Sequence, residues 1–263
     1  MGGHIQLANK RRNLIKKNDK QINKYFGKKF YIKNILIIIL IFSLLTSNLH
    51  TQDLNLFEDE IFVNEYDTLN YRILKPLDYD PNQQYPVHLF LHGAGERGSN
   101  NTSQLMYVDR LFLQKENREH YKSWIILPQC PTNDRWPSLL SDNEWNNNFD
   151  NKTTSPNKSL RLVMELMDRF IEKKQVNKQK VYVSGLSMGG MGTFEILYRR
   201  PNMFAAATPI CGNGIAAFAK QYANKVSVWI FHGSDDKVVQ PKHSSKMAQA
   251  IIASGGSPKM TLY

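Results

Sequence analysis

Val181-Tyr182-Val183-Ser184-Gly185-Leu186-Ser187-Met188-Gly189-Gly190-Met191-Gly192 is the stretch whose reading decides the fold. An apolar, strand-forming run enters G-x-S-x-G. The residues behind it, Thr193-Phe194-Glu195-Ile196-Leu197, continue as a helix to Arg200-Pro201. A strand, a tight turn and a helix in that order hold a serine hydroxyl at the tip of a nucleophile elbow. Gly189, Gly190 and Gly192 leave room for the helix to close behind the turn. The pattern makes a chemical demand, because a serine hydroxyl attacks poorly until a base takes its proton and an acid orients that base. The backbone N–H of Met188, at the start of the helix, is placed to donate to the oxyanion such an attack creates.

Two further glycine-punctuated turns follow apolar strands. His92-Gly93-Ala94-Gly95-Glu96-Arg97-Gly98 comes directly after Val87-His88-Leu89-Phe90-Leu91. A second oxyanion donor is expected from a loop in this position, and Ala94 is the assigned N–H, with Gly93 the alternative. Glu96 and Arg97 are expected to pin the loop by a salt bridge. The run lacks the G-x-x-x-x-G-K-[ST] spacing of a phosphate-binding loop. His232-Gly233-Ser234-Asp235-Asp236 follows the apolar residues 226–231. Asp236 is the expected acid and Asp235 its fallback.

Outward from these turns, strands are expected at 60–64, 68–74, 87–91, 124–127, 181–183, 204–210, 226–231 and 259–263. The first two read as an antiparallel pair. Helices are expected at 158–174, where Leu160, Leu162, Val163, Leu166, Met167 and Phe170 recur at helical spacing, and at 241–253. Strands alternating with helices give an α/β fold, a doubly wound and mostly parallel sheet with its site at the carboxyl ends of the strands. The Asn-rich stretch 143–157, with Trp145 and Phe149, reads as a surface loop. Trp136, Trp145 and Phe149 are candidates for an acyl pocket, although core packing explains them equally.

The 263 residues suffice for one such domain. The net charge of +11 suggests a nucleic-acid partner until it is located. Residues 1–34 carry ten Lys or Arg and one acid, so the remainder is close to neutral and a nucleic-acid-binding face is not expected. That basic segment runs into Ile35-Leu36-Ile37-Ile38-Ile39-Leu40-Ile41-Phe42-Ser43-Leu44-Leu45, too short for a membrane span of about twenty residues. Residues 1–47 therefore read as a basic leader and signal peptide, 48–59 as a linker and 60–263 as the catalytic domain. Export to the periplasm or the medium is expected. The alternative is an uncleaved anchor with the domain outside the cytoplasm, which would be the only membrane contact. Cys130 and Cys211 fall at strand ends three sheet positions apart, too far for a disulfide, and are expected to be free, buried thiols.

Five ordered runs carry a family resemblance: Leu91 to Gly98; Pro128-Gln129-Cys130-Pro131 with Trp136; Gly185 to Gly190; Phe204-Ala205-Ala206-Ala207 through Cys211-Gly212; and Phe231-His232-Gly233 through Asp236 and Val239. Together they resemble secreted carboxylesterases of the α/β-hydrolase superfamily. Feruloyl and acetyl esterases, polyhydroxybutyrate depolymerases and the phospholipase/carboxylesterase group are among these, with looser similarity to prolyl oligopeptidase catalytic domains. The resemblance implies Ser187 as nucleophile, Asp236 as acid, and Ala94 with Met188 as oxyanion donors. It implies no metal or organic cofactor, and a small-molecule or polysaccharide-linked ester as substrate.

It also exposes a departure. In the family the strand matching 259–263 is followed by a Gly-His that carries the catalytic base. Of the seven histidines here (His4, His50, His88, His92, His120, His232 and His243) none stands at a strand end facing Ser187. The chain is therefore expected to lack the end of the fold after its last strand and to be nearly inactive as it stands. Two other readings remain: an exported binding protein that keeps a degenerate hydrolase fold, and a serine peptidase of the prolyl oligopeptidase type.

Overall fold

In the computed structural model the described residues are 54–138 and 155–263, and Leu54–Tyr263 form a compact unit. The leader and apolar segment at 1–47, the first part of the linker, His4, His50, Trp145 and Phe149 lie outside the described residues. Eight strands form one sheet: β1 (Phe57–Val63), β2 (Thr68–Leu74), β3 (Tyr85–Leu91), β4 (Trp124–Pro128), β5 (Val176–Leu186), β6 (Ala206–Ile210), β7 (Ser227–His232) and β8 (Lys259–Leu262). Their spatial order is β1-β2-β4-β3-β5-β6-β7-β8. β1 pairs antiparallel with β2, and β2 antiparallel with β4, while every other neighbouring pair is parallel. Among the described residues five helices accompany the sheet: α1 (Asp109–Leu113), α2 (Lys115–His120), α3 (Lys158–Phe170), α4 (Met188–Arg199) and α5 (Lys242–Ala253). This is the doubly wound, mostly parallel α/β sheet expected from the alternation of elements.

The sheet is covered on both faces, which explains the unbroken apolar strands. From β3, Val87, Leu89 and Leu91 join the larger core with Leu160, Val163 and Met167 of α3 and Phe194, Ile196 and Leu197 of α4. Phe90 enters a second cluster with Phe57, Leu74, Ile125, Leu127, Leu105 and Val108, against which Phe112 packs. Among the described residues no helix is long and apolar enough to cross a membrane.

Several boundaries differ from expectation, each for a physical reason. β1 starts at Phe57, so the last three linker residues are strand. Glu58, Asp59 and Glu60 are exposed on this edge, and only Phe57 and Phe62 are buried. Backbone pairing to β2 and the ion pairs Asp59–Arg72 (3.1 Å) and Glu58–Lys75 (2.8 Å) hold the acidic start of the strand, which has no apolar alternation to announce it. β5 begins at Val176, ahead of the polar run Asn177–Lys180, where its register against β3 shifts. α3 stops at Phe170 because a turn (Lys173 N–H to Phe170 O, 3.1 Å) feeds the chain straight into β5.

Candidate active site

The elbow is built by steric exclusion. Ser187 lies between β5 and α4 with φ 55°, a left-handed conformation that costs a non-glycine residue on the order of 1–3 kcal/mol. A side chain at Gly185 would overlap the Gly189 carbonyl, and one at Gly189 would overlap the carbonyl of Leu91. A Cβ at Gly190 would stand 2.6 Å from the Ile210 carbonyl oxygen, and one at Gly192 would stand 2.6 Å from Trp136 Cβ. The turn is therefore pressed against the ends of β3 and β6, and the Ser187 N–H is tied to Ile210 O at 2.9 Å. Met188 is the first residue of α4, so its N–H is one of the donors a helix leaves unpaired.

The loop after β3 packs onto this turn. A Cβ on Gly93 would stand 3.6 Å from the Leu186 carbonyl oxygen, and Ala94 opens a single 3₁₀ turn (Ala94–Glu96) whose first N–H has no partner within the turn. His92 is a strut inside this loop. Its Nδ1–H donates to Gly93 O at 2.6 Å, its Nε2 accepts the Cys130 N–H at 2.9 Å, and its backbone oxygen accepts Trp136 Nε1–H at 3.0 Å. Burial holds the imidazole down at about 4, well below the usual histidine range, so it is neutral at physiological pH. Gly98 N–H donates to Cys130 O at 2.9 Å, and Gln129 Nε2 donates to Glu96 O at 3.2 Å.

The expected Glu96–Arg97 salt bridge does not form. Arg97 instead fixes the loop through backbone carbonyls, donating to Ala94 O (2.9 Å), Thr132 O (3.3 Å) and Asp134 O (3.2 Å). Glu96 is buried, with its Oε2 meeting no donor among the described residues. Trp136 is fully buried against Gly192 and the His92 ring, a core position and not a pocket wall.

Asp236 lies in the turn after β7. Its Oδ1 accepts the N–H groups of Val238 (2.8 Å) and Val239 (3.0 Å), and its Oδ2 stands 3.5 Å from His232 Nε2. The Val239 N–H, with Val238 and His232 adding, holds its carboxyl below the usual carboxylate range, so it is ionised at neutral pH. Asp235 is exposed and has no such clamp. His232 Nε2–H donates to Val239 O at 2.7 Å, and Nδ1 meets Ser244 Oγ at 2.7 Å.

The strand ends are laced together: Cys211 N–H to Phe231 O (2.8 Å), Tyr263 N–H to His232 O (3.2 Å) and Ser234 N–H to Tyr263 O (2.7 Å). Cys211, at φ 41°, sits between the two candidate residues. Burial raises its thiol, the Ser187 N–H lowers it and the Asp236 charge raises it again. Both cysteines are free, but Cys211 is half-buried where a buried thiol was expected.

The four turns thus converge, and Ser187, Met188, Ala94 and Asp236 all lie at the carboxyl ends of the parallel strands. The hydrogen bonds of the His88, His92, His120 and His232 rings go to Ser184, Gly93 and Cys130, Glu116, and Ser244 and Val239, so none of these four is turned to Ser187. The sequence held Cys211 within the run Phe204 through Gly212 but gave no sign that it lies beside the elbow, and the bracing of the β3 loop by Gln129, Cys130 and Trp136 was signalled only by the run Pro128–Pro131 with Trp136.

A parallel-stranded sheet with a serine elbow at its centre and an acid turn after the penultimate strand defines an α/β-hydrolase. Residues 80–263 match the phospholipase/carboxylesterase family, and the chain belongs to that family. Acetylxylan esterase A of Emericella nidulans is 26% identical over 165 residues, covering 62% of this chain and 51% of that enzyme. A bifunctional acetylxylan esterase/xylanase of Neocallimastix patriciarum is 29% identical over 82 residues, covering 31% of this chain and 12% of that protein. A thermostable esterase of known structure superposes with a TM-score of 0.70 at 29% identity, over 81% of this chain and 56% of that one. The chain spans about half or less of the length of the curated relatives it matches here.

Proposed function

We propose that this domain is a serine carboxylic ester hydrolase acting through an acyl-enzyme on Ser187. The observation that carries the reading is the left-handed Ser187 between β5 and α4, enforced by glycines at 185 and 189 and backed by the loop that bears Ala94. Such strain is retained where the geometry it produces is used. The Ser187 hydroxyl attacks the ester carbonyl, and the tetrahedral oxyanion rests on the N–H groups of Met188 and Ala94. Water then releases the acid. Asp236, ionised and fixed by two backbone N–H groups, orients the base.

The base in this proposal is a histidine supplied after Tyr263. Two observations support it. His88, His92, His120 and His232 are engaged elsewhere, and β8 runs parallel to β7, which brings Tyr263 against Ser234, two residues from Asp236. Chain continuing from Tyr263 starts beside the acid turn. The acetylxylan esterases among the relatives make acetyl esters on polysaccharide the first substrate class to examine, and the leader sequence favours action outside the cytoplasm.

The test is hydrolysis of p-nitrophenyl acetate by the chain extended with its own downstream codons. Turnover in the extended chain and its loss in Ser187→Ala support the proposal. An extended, folded chain that stays inactive with Ser187 intact overturns it in favour of a non-catalytic binding protein.

A further inference from the structure

β3 carries one polar residue inside its apolar run, and the active-site reading gives it no task. His88, at the middle of β3, stands abreast of Ile125 near the start of β4, which pairs with Leu74 at the end of β2. Its Nε2 meets Ser184 Oγ at 2.7 Å, and its ring lies edge-on to Phe112 at 5.3 Å. Its Nδ1 carries no hydrogen bond among the described residues. A polar pair at this place in a packed sheet asks what it faces.

It faces a cavity of about 230 Å³. Leu74, Leu77, Phe112 and Ile125 supply apolar walls. The lining also holds three cations, Lys75, Arg118 and Lys122, and no carboxylate. Two of the cations are satisfied from outside, Lys75 by Glu58 at 2.8 Å and Lys122 by Asp78 at 2.9 Å. Arg118 is different. Its guanidinium donates to the Lys75 carbonyl at 3.1 Å and reaches no carboxylate at ion-pair distance among the described residues. Burial lowers its proton affinity, with the charge of Asp78 opposing, which marks a cation partly stripped of water without an adjacent counter-ion.

We propose that this cavity binds an amphiphilic monocarboxylate, its apolar body between Leu74, Leu77, Phe112 and Ile125 and its carboxylate on Arg118. A neutral apolar ligand would leave the guanidinium unpaired, and a small inorganic anion would leave the apolar walls unfilled. The volume lies below the range of roughly 300–1,000 Å³ typical of pockets for drug-sized ligands, so the body is a single ring or a short chain. A hydrogen-bonding group at its far end would meet His88, held neutral by burial at about 4. Carboxylates of this kind are released by ester hydrolysis, yet the binding site does not rest on the catalytic reading. It does share a strand with that site, for β3 carries His88 at its middle and runs into the Ala94 loop at its carboxyl end.

The test is titration of the full chain with trans-cinnamate and with octanoate, followed by NMR of the His88 ring and by calorimetry. Saturable binding of either acid with movement of the His88 resonances supports the proposal. So does weakening by about tenfold or more in Arg118→Gln, with cinnamyl alcohol or octanol binding comparably weakly. Leu77→Trp, which fills the cavity from a loop, should abolish binding while leaving the Arg118 side chain in place. Ser187→Ala should bind as the parent does. The proposal falls if neither acid binds saturably to a folded chain, if the alcohols bind as tightly as the acids, or if Arg118→Gln and Leu77→Trp both bind as the parent. Loss of binding in Ser187→Ala would assign the ligand to the elbow and also overturn it.

Discussion

The serine turn and the acid turn lie at the same edge of the sheet and are held by opposite means. Ser187 is fixed by contact: Gly185 and Gly189 leave no room for a methyl group, and the backbone is bent into a left-handed conformation to fit. Asp236 is fixed by hydrogen bonds alone. A Cβ on Gly233, which opens its turn, would meet nothing nearer than the Tyr263 carbonyl oxygen at 4.0 Å. Contact fixes a nucleophile to within a fraction of a bond length. Two N–H donors fix a carboxylate's charge and direction while the turn keeps some freedom, as suits a residue that orients a third group.

That contrast, and the loop beside it, can be probed at five residues. Gly189→Ala should have the largest effect, a stability loss of about 4 kcal/mol or more, because the clash is with backbone that cannot step aside. Gly233→Ala should stay within about 0.5 kcal/mol in the same urea titration. A mild Gly189→Ala would refute fixation by contact.

At the acid turn, Asp236→Ala leaves the Val238 and Val239 N–H groups without their acceptor and should cost about 1.5–3 kcal/mol. Asp236→Asn keeps an acceptor and should cost less. In the proposed enzyme the Asn variant should nonetheless lose roughly a thousandfold or more in kcat, since an amide orients the base wrongly.

The β3 loop adds a pH dependence. His92 is held neutral in the fold, at about 4 against an ordinary 6.5, so its contribution is full above pH 6.5 and is lost as pH falls towards 4. The full loss is ~3 kcal/mol. His92→Gln should flatten the fall of the urea midpoint across that window, and an unchanged slope would place the acid sensitivity elsewhere.

The smallest effect concerns the thiols. Burial pushes Cys130 up to about 12, so in the folded chain it should react with iodoacetamide roughly a thousandfold more slowly than an ordinary thiol. Alkylation of native Cys130 at a free-thiol rate would show that the loop it braces opens.

What was legible in the sequence follows the same division. Steric demands write themselves as residue types, so Gly185, Gly189 and the strand before them could be read directly. The apolar strands β3 and β4, buried on both faces, were equally plain. Interactions between distant backbone atoms leave little trace. Arg97 could be read only as a charge beside Glu96, whereas its partners are carbonyls of Thr132 and Asp134 some 35 positions on. The start of β1 hid for a related reason, since Glu58 and Asp59 are held by backbone pairing and ion pairs and need no apolar alternation, whereas the strand from Glu60 on was legible. The base was not legible, because none of the seven histidines follows a strand at a spacing that sequence alone ties to Ser187.

The seat of Gly189 on the Leu91 carbonyl has one more consequence. The turn that aims the serine and the loop that receives the oxyanion share a single bearing surface. In the proposed enzyme, any shift of the end of β3 would carry both along and keep the gap between the Ser187 hydroxyl and the Ala94 N–H, whereas the Asp236 turn, hung from β7 and β8, has no such shared seat.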